Sequence, residues 1–389
     1  MMDKTSWTRV RFGEVVRLNK DRVADPAAAG IERYVGIEHI EPEDLRIRKW
    51  GLVAEGTTFT NYFKPGQVLF VKRRAYQRKV ALADFEGVCS GDIYVLESRD
   101  PDVLLPELLP FICQTDAFFE HAVRTSAGSL SPRTNWKQLA DYEFALPPLA
   151  EQRRIAEVLK KMIETGEAIQ SSRNKLQIMK DAVIKARSAM LERHGLRTFQ
   201  TIVDRIDSGK SPSGRPEPAK EGEFGVLKVS AVSDWIFVPT ENKSIASSDY
   251  SDQFEVRRGD FLAIRANADP HSVGRTCIVT ETPAGLMLSD KTWRIVFKPN
   301  NPYSKIGILA WTKSPSFRTH ILKHLAGTDA KNISQNKFLN GPFPACSPEE
   351  FNNFAHEIEI ILSAETVLRT RQDGLRKLFK KYLSEMVVL

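Results

Sequence analysis

The chain has 389 residues, 42% hydrophobic and 9% aromatic, which is ample for packed cores and too apolar for a disordered protein. Lysine and arginine number 56 against 49 acidic residues, a net charge of +7 that argues for nucleic acid only where the cations cluster. Four cysteines (Cys89, Cys113, Cys277, Cys346) lie far apart with no C-x-x-C pair, as suits inert thiols in a reducing cytosol. The opening MMDKTSWTRV has no apolar signal core, and no run approaches the ~18 apolar residues of a membrane span. A soluble, cytoplasmic protein is expected.

Residues 1–146 read as a mixed α/β globule of short strands with a helix near 104–122. Phe63-Lys-Pro-Gly-Gln-Val-Leu-Phe-Val-Lys72 reads as a turn at Gly66 leading into a buried strand that ends on a cation. Directly after it come Lys72, Arg73, Arg74, Tyr76, Gln77, Arg78 and Lys79, five cations in eight residues. Such side chains neutralise phosphates or bond guanine, and glutamine pairs bidentately with adenine; a solvated charged hairpin is the alternative. A polar link, Ser129 to Trp136, precedes the end of the globule, and its Arg133 and Asn135 suit either phosphate contacts or helix capping.

Pro147 to Leu191 then carries a double proline that can begin a helix but not continue one, followed by about 40 residues with no proline. Ile155, Met162, Ile169, Leu176, Val183 and Met190 recur at strict sevens, a coiled-coil signature. At ~1.5 Å per residue the helix is roughly 60 Å long and needs a partner helix. Residues 147–195 are assigned to this helix and its exit.

The partner comes from an internal repeat. Shifted by 199, the six heptad positions land on Phe354, Ile361, Leu368, Leu375, Tyr382 and Leu389, all apolar or aromatic, and Glu151 lands on Glu350. The preceding region repeats more faintly. Val256-Arg-Arg-Gly-Asp-Phe-Leu-Ala-Ile-Arg265 matches residues 63–72, and Tyr34-Val-Gly-Ile falls on Val226-Leu-Lys-Val. Residues 196–345 are thus a second globule and 346–389 a second long helix. Its loop after the glycine-led strand carries Arg265, Asn267, His271 and Arg275. Lys331 and Asn332 lie in the second polar link, and Lys210 in a flexible basic turn. Because the two loops differ, the two globules are expected to present different chemistry. The expected fold class is α+β: two mixed α/β domains in tandem repeat, separated by two long helices forming an antiparallel coiled coil with pseudo-two-fold symmetry.

The stretch PPLAEQRRIAEVLKK and the order globule, helix, globule, helix resemble the DNA-specificity subunits of Type I restriction–modification systems. The second copy departs from that wording, with CSPEEFNNFAHEI in its place. The resemblance implies a non-catalytic subunit whose two target recognition domains, 1–146 and 196–345, each read half of a bipartite, asymmetric double-stranded DNA target. It implies that the coiled coil sets the gap between the halves. It also implies two adenine methyltransferase (modification) subunits and restriction subunits as partners. S-adenosylmethionine, ATP and Mg would sit on those partners, with no cofactor in this chain.

Other motifs fall short. Gly209-Lys210-Ser211 lacks the first P-loop glycine, its place being taken by Asp204. Asn300-Asn-Pro-Tyr303 lacks the second proline of the amino-methyltransferase tetrad. His320 and His324 share a helical face but have no third ligand and no following glutamate. A coiled-coil scaffold that joins partners without reading DNA is the competing reading, and the cationic loops discriminate the two.

Overall fold

Leu149 begins a helix that runs unbroken to Leu191, and Pro348 begins one that runs to Val387. Each starts just behind or on a proline, where the missing N–H costs nothing. The computed structural model describes residues 4–387, so the expected core position Leu389 lies outside the described residues. The chain divides into two compact units, one comprising residues up to Ser171 with those from Arg369, the other Ser172–Leu368. Each unit holds one globule with parts of both helices. The sequence boundaries near 146, 195 and 345 fall at element junctions: a strand ends at Leu146, the next globule's first strand is Leu196–Thr198, and its last is Pro342–Pro344.

In the first unit the helices run antiparallel: Gln372 donates to Gln170 at 3.1 Å, and a methyl group on Gly166 would lie 3.7 Å from Leu375. The second unit repeats the orientation, with Lys180 bonding Glu365 and Arg187 bonding Glu357, each at 2.8 Å.

The core of the first unit joins Phe12, Phe70, Phe118 and Phe144 of the globule to Ile155, Ala156 and Leu159 of the first helix and Leu383 and Met386 of the second. In the second unit Phe199, Trp293, Phe317 and Phe343 meet Ile184 and Leu191, together with Phe351, Phe354 and Ile358. Close helix contact here requires Gly307, since an added Cβ would lie 2.7 Å from the Phe351 ring.

The duplication is exact enough to compare bond by bond. In the first unit an antiparallel sheet orders Val16–Asn19, Ile93–Ser98, Val68–Val71 and Val80–Leu82; in the second, Val203–Ser208, Thr292–Phe297, Phe261–Ile264 and Thr276–Ile278. Val68–Val71 and Phe261–Ile264 are buried at every position, as their unbroken apolar runs require. A smaller sheet in each unit contains one parallel pair, Arg33–Val35 with Gly87–Cys89 and Phe224–Leu227 with Leu286–Met287. The helix expected near 104–122 is two helices, Leu109–Ile112 and Asp116–Arg124. The break falls at Thr115, whose hydroxyl accepts from the Phe118 amide and so starts a new helix; Ser314 does the same for Phe317. His121 and His320 reach the Gln138 and Lys337 carbonyls at 2.7 and 2.8 Å, which gives His320 a packing role.

The heptad row needs one correction. Ile155, Phe354 and Ile361 are buried, and Met162, Ile169, Leu176, Val183, Leu368, Leu375 and Tyr382 are half-buried, but Met190 is exposed. Its place is taken by Leu191, with Ile184 beside Val183. A helix of 3.6 residues per turn drifts ~20° per heptad against a strict seven, so after five intervals the buried stripe has moved on by about one residue.

All four cysteines are buried free thiols, and burial pushes Cys89 and Cys277 up to about 12. Among the described residues no helix is long and apolar enough to cross a membrane. The stripe correction is directly testable. Ile184→Asp should cost about 3 kcal/mol or more, whereas Met190→Asp should stay within about 0.5 kcal/mol, as read from the thermal unfolding midpoints of the full chain.

Candidate nucleic-acid interface

Two stretches far apart in sequence meet in the first unit. The basic loop leaves the strand Val68–Val71 and is met by the polar link: Thr134 N–H donates to the Lys72 carbonyl at 2.9 Å, Arg74 N–H donates to the Pro132 carbonyl at 2.7 Å, and Arg73 pairs with Arg133 as a bridge. The second unit builds the same junction as a short ladder, Ala266 opposite Asn332 and Asn267 opposite Lys331, with Ile333 N–H donating to the Arg265 carbonyl at 3.1 Å. Both loops and both links therefore form one ridge per unit.

Asp92 organises the first ridge. It accepts from Arg133 Nε at 2.8 Å and lies 3.4 Å from Arg73 Nη1, while Arg73 also donates to Ser131 Oγ at 3.1 Å. The hydrogen bond from Arg133, and the charges of Arg133, Arg73 and Lys72, hold its carboxyl below the usual aspartate range against the opposing effect of burial. Lys72 Nζ sits 4.8 Å above the Tyr94 ring. Asp92 and Ser131 thus occupy the nitrogens of Arg73, and Asp92 takes the Nε and Nη2 edge of Arg133, so both guanidiniums are held in fixed orientation.

Other expected readers are spent inside the fold. Arg78 donates to Asp116 at 2.6 Å and to the Gln114 carbonyl at 3.2 Å, with its guanidinium 4.7 Å from the Phe119 ring. Lys79 donates to the Ile37 carbonyl at 2.8 Å. Asn135 caps the helix Trp136–Ala140 by accepting from Lys137 N–H, the capping alternative of the sequence reading. Arg74 and Arg78 both adopt left-handed backbone, φ 55° and 57°, which folds the loop tightly around Ala75–Gln77 and leaves Tyr76 exposed.

In the second unit Arg265 is exposed and its Nη1 donates to the Asp290 carbonyl at 3.3 Å. Ser211, beside exposed Lys210, bonds the Asp290 carboxylate, which brings the basic turn to the ridge. Gly209 packs against the Leu288 carbonyl, with no room for a phosphate cradle: an added Cβ would lie 1.9 Å from that oxygen. His271 is exposed, while Asn267 accepts from Asp269 N–H and Lys331 donates to the Gly327 carbonyl. Arg275 donates to the His271 carbonyl at 3.1 Å, and Arg318 braces the same loop through the His271 and Val273 carbonyls, each at 3.0 Å.

Residues 4–177 match the family model described as the Type I restriction modification DNA specificity domain. That stretch, under half of the chain, is similar to the family's domain. It is 26% identical over 172 residues, 43% of the chain, to the Type I restriction enzyme EcoDI specificity subunit of Escherichia coli, and 40% identical over 95 residues, 24% of the chain, to the EcoEI specificity subunit. These matches span 37% and 16% of the relatives' lengths. A solved Type I restriction–modification S subunit from M. genitalium aligns over 100% of this chain and 98% of its own, with 14% identity and a TM-score of 0.60. A chain from a solved type I R-M system aligns over 98% and 97%, with 20% identity and a TM-score of 0.56. Both share the fold.

Within residues 4–177 two features escape notice in the sequence. Leu130 is 91% exposed at the tip of the hairpin that carries Arg133; its signal was an apolar residue flanked by serines in a polar link. The other is the acid at the ridge base. In the register where Val71 opposes Ile93 and Ile264 opposes Thr292, Asp92 corresponds to Lys291. The first ridge has three cations around Asp92, and the acid beside the second is Asp290, whose carboxylate bonds Ser211 and whose carbonyl accepts from Arg265. A native carboxylate pKa below its unfolded value contributes stability above the ordinary aspartate range, and that stability is lost as pH falls through the native pKa. Asp92→Asn should therefore flatten the acid limb of the stability–pH curve below about pH 4, measured by thermal unfolding of the full chain.

Proposed function

We propose that the chain is the DNA-reading, non-catalytic subunit of a Type I restriction–modification complex. Each unit contributes one target recognition domain, and each ridge reads one half of a bipartite double-stranded DNA target. The observation that carries this is the twice-built ridge: the same strand end, polar link and bracing helix recur in both units, yet the side chains presented differ. A fold that repeats its bonds while changing its exposed chemistry is suited to reading two unlike half-sites on one framework. The target is therefore asymmetric.

In the first domain Lys72, Arg73 and Arg133 bond phosphates or guanine, and Tyr76, Gln77 and Leu130 add base contacts, Leu130 through a thymine methyl or a base step. In the second, Lys210, Arg265, His271 and Lys291 provide the corresponding face. Two adenine methyltransferase subunits carrying S-adenosylmethionine join on the long helices, and restriction subunits carrying ATP and Mg complete the complex, with no cofactor held by this chain. The complex acts in the cytoplasm. A scaffold that only joined proteins would have no use for two braced cationic ridges.

The test is long-read methylation mapping of cells that carry the chain with its modification subunits, followed by binding of the mapped duplex. Arg133→Ala and Lys72→Ala should each weaken binding and lower the salt slope by about 1, as loss of a phosphate contact does. Leu130→Ser should leave that slope unchanged while relaxing base preference in one half-site. Binding and methylation that persist undiminished in all three variants would sink the first ridge as a reader.

A further inference from the structure

A turn in each unit ends on a residue with left-handed backbone that is not glycine: Glu43, φ 59°, and Trp235, φ 71°. The two turns correspond. Asp44 N–H donates to the Glu41 carbonyl, and Ile236 N–H to the Ser233 carbonyl. Upstream, His39 N–H donates to Gly36 and Ala231 N–H to Lys228, while Ile40 and Val232, then Leu45 and Phe237, are buried in step. A shift of 192 superposes every one of these positions. Strained backbone of this kind is kept where the surroundings over-determine it, and it commonly marks a functional position.

Each of these residues meets a lysine on a long helix. Glu43 Oε1 lies 3.1 Å from Lys380 Nζ, and the ring of Trp235 lies 4.8 Å from Lys180 Nζ. Under the 199-residue repeat of the helices these lysines differ by one position. Each also meets the base of its own ridge. Glu43 N–H donates to the Arg78 carbonyl at 3.3 Å, and its carboxylate lies 3.7 Å from Arg78 Nε. Trp235 bridges to Cys277, and Lys313 lies 5.2 Å from its ring while bonding the Thr276 carbonyl and Asp234.

We propose that Glu43 and Trp235 are positioning residues, a matched pair of clasps that fasten the root of each reading loop to a long helix. One clasp is an exposed ion pair and the other a cation–π contact on a buried lysine. Lys380 and Glu43 are 61% and 45% exposed, whereas Lys180 is 3% exposed and doubly bonded to Glu365. Salt screens the exposed pair and leaves the buried one nearly untouched. The first reader is therefore released by salt and the second is held. The inference rests on the proposed DNA-reading role for its purpose, while the clasp itself exists without DNA.

Amide hydrogen exchange of the full chain without DNA tests it. Between about 0.05 M and about 0.5 M NaCl, exchange across 72–79 should rise about fivefold while exchange across 265–275 changes less than about twofold. Glu43→Gln should raise exchange across 72–79 at low salt and reduce its salt response to the part left by the Arg73–Asp92 and Arg78–Asp116 pairs, which a general loss of stability would not do. The charge swap Glu43→Lys with Lys380→Glu should restore both protection and salt response. In the second unit, Lys180→Met or Trp235→Leu should raise exchange across 265–279 at both salts. Equal salt responses in the two loops, or a swap that restores nothing, would overturn the proposal. Because no DNA is present, either outcome stands apart from whether the loops read DNA.

Discussion

Neither globule closes its own core. Phe111 meets Phe379 of the second helix, and Ile155 and Leu159 of the first helix fill the space beside Leu104 and Phe144; in the other unit Phe343 meets Phe351 while Ile184 and Leu191 seal the opposite side. The apolar surface on those helices is therefore buried by the globules as well as by the other helix. A 43-residue helix with few core positions in its middle would be marginal alone in water, and most of its stability must come from tertiary packing. The helix ends and the globule cores depend on one another, so a globule cannot unfold without exposing the helix stripe it covers.

That dependence explains where the strongest electrostatic contacts lie. Lys180 is buried against Glu365 and the Trp235 ring, where an unpaired ammonium would be costly. Lys313 is likewise enclosed, and burial pushes it below the ordinary lysine range although Asp234 opposes the shift. Around the ridges the pairs are more exposed, and their worth is geometric: Asp92 fixes two guanidinium groups without removing them from solvent.

The architecture was largely legible in the sequence because the repeat compares two independent solutions of one fold. The 199-residue shift that aligns Ile155 with Phe354 also aligns Thr115 with Ser314 and His121 with His320, and the structure gives each pair the same bond. The strict seven misplaced the last core position, Met190 for Leu191, because a heptad describes a supercoiled seam and not a straight helix. The candidate site was legible only in part. Clustered cations identified the loop at 72–79, but sequence spacing cannot show that Arg78 is held by Asp116 or that Arg133 crosses to Asp92, since those partners come from other elements. Leu130 carried a signal that points the other way: exposure follows from the fold, and an apolar residue in a link ordinarily signals burial.

The two ridges show how one framework accommodates unlike side chains. Backbone bonds between loop and link, Lys72 to Thr134 and Arg265 to Ile333, use no side chain and so place no demand on sequence. The neighbouring positions are therefore free to vary as long as local charge stays balanced. Asp92 and Lys291 illustrate the limit of that freedom. A lysine beside Arg73 and Arg133 would crowd four cations, Lys72 included, on one face. Charge at the base of the first ridge and charge on it are therefore coupled, which makes Asp92, Arg73 and Arg133 one set in place of independent contacts.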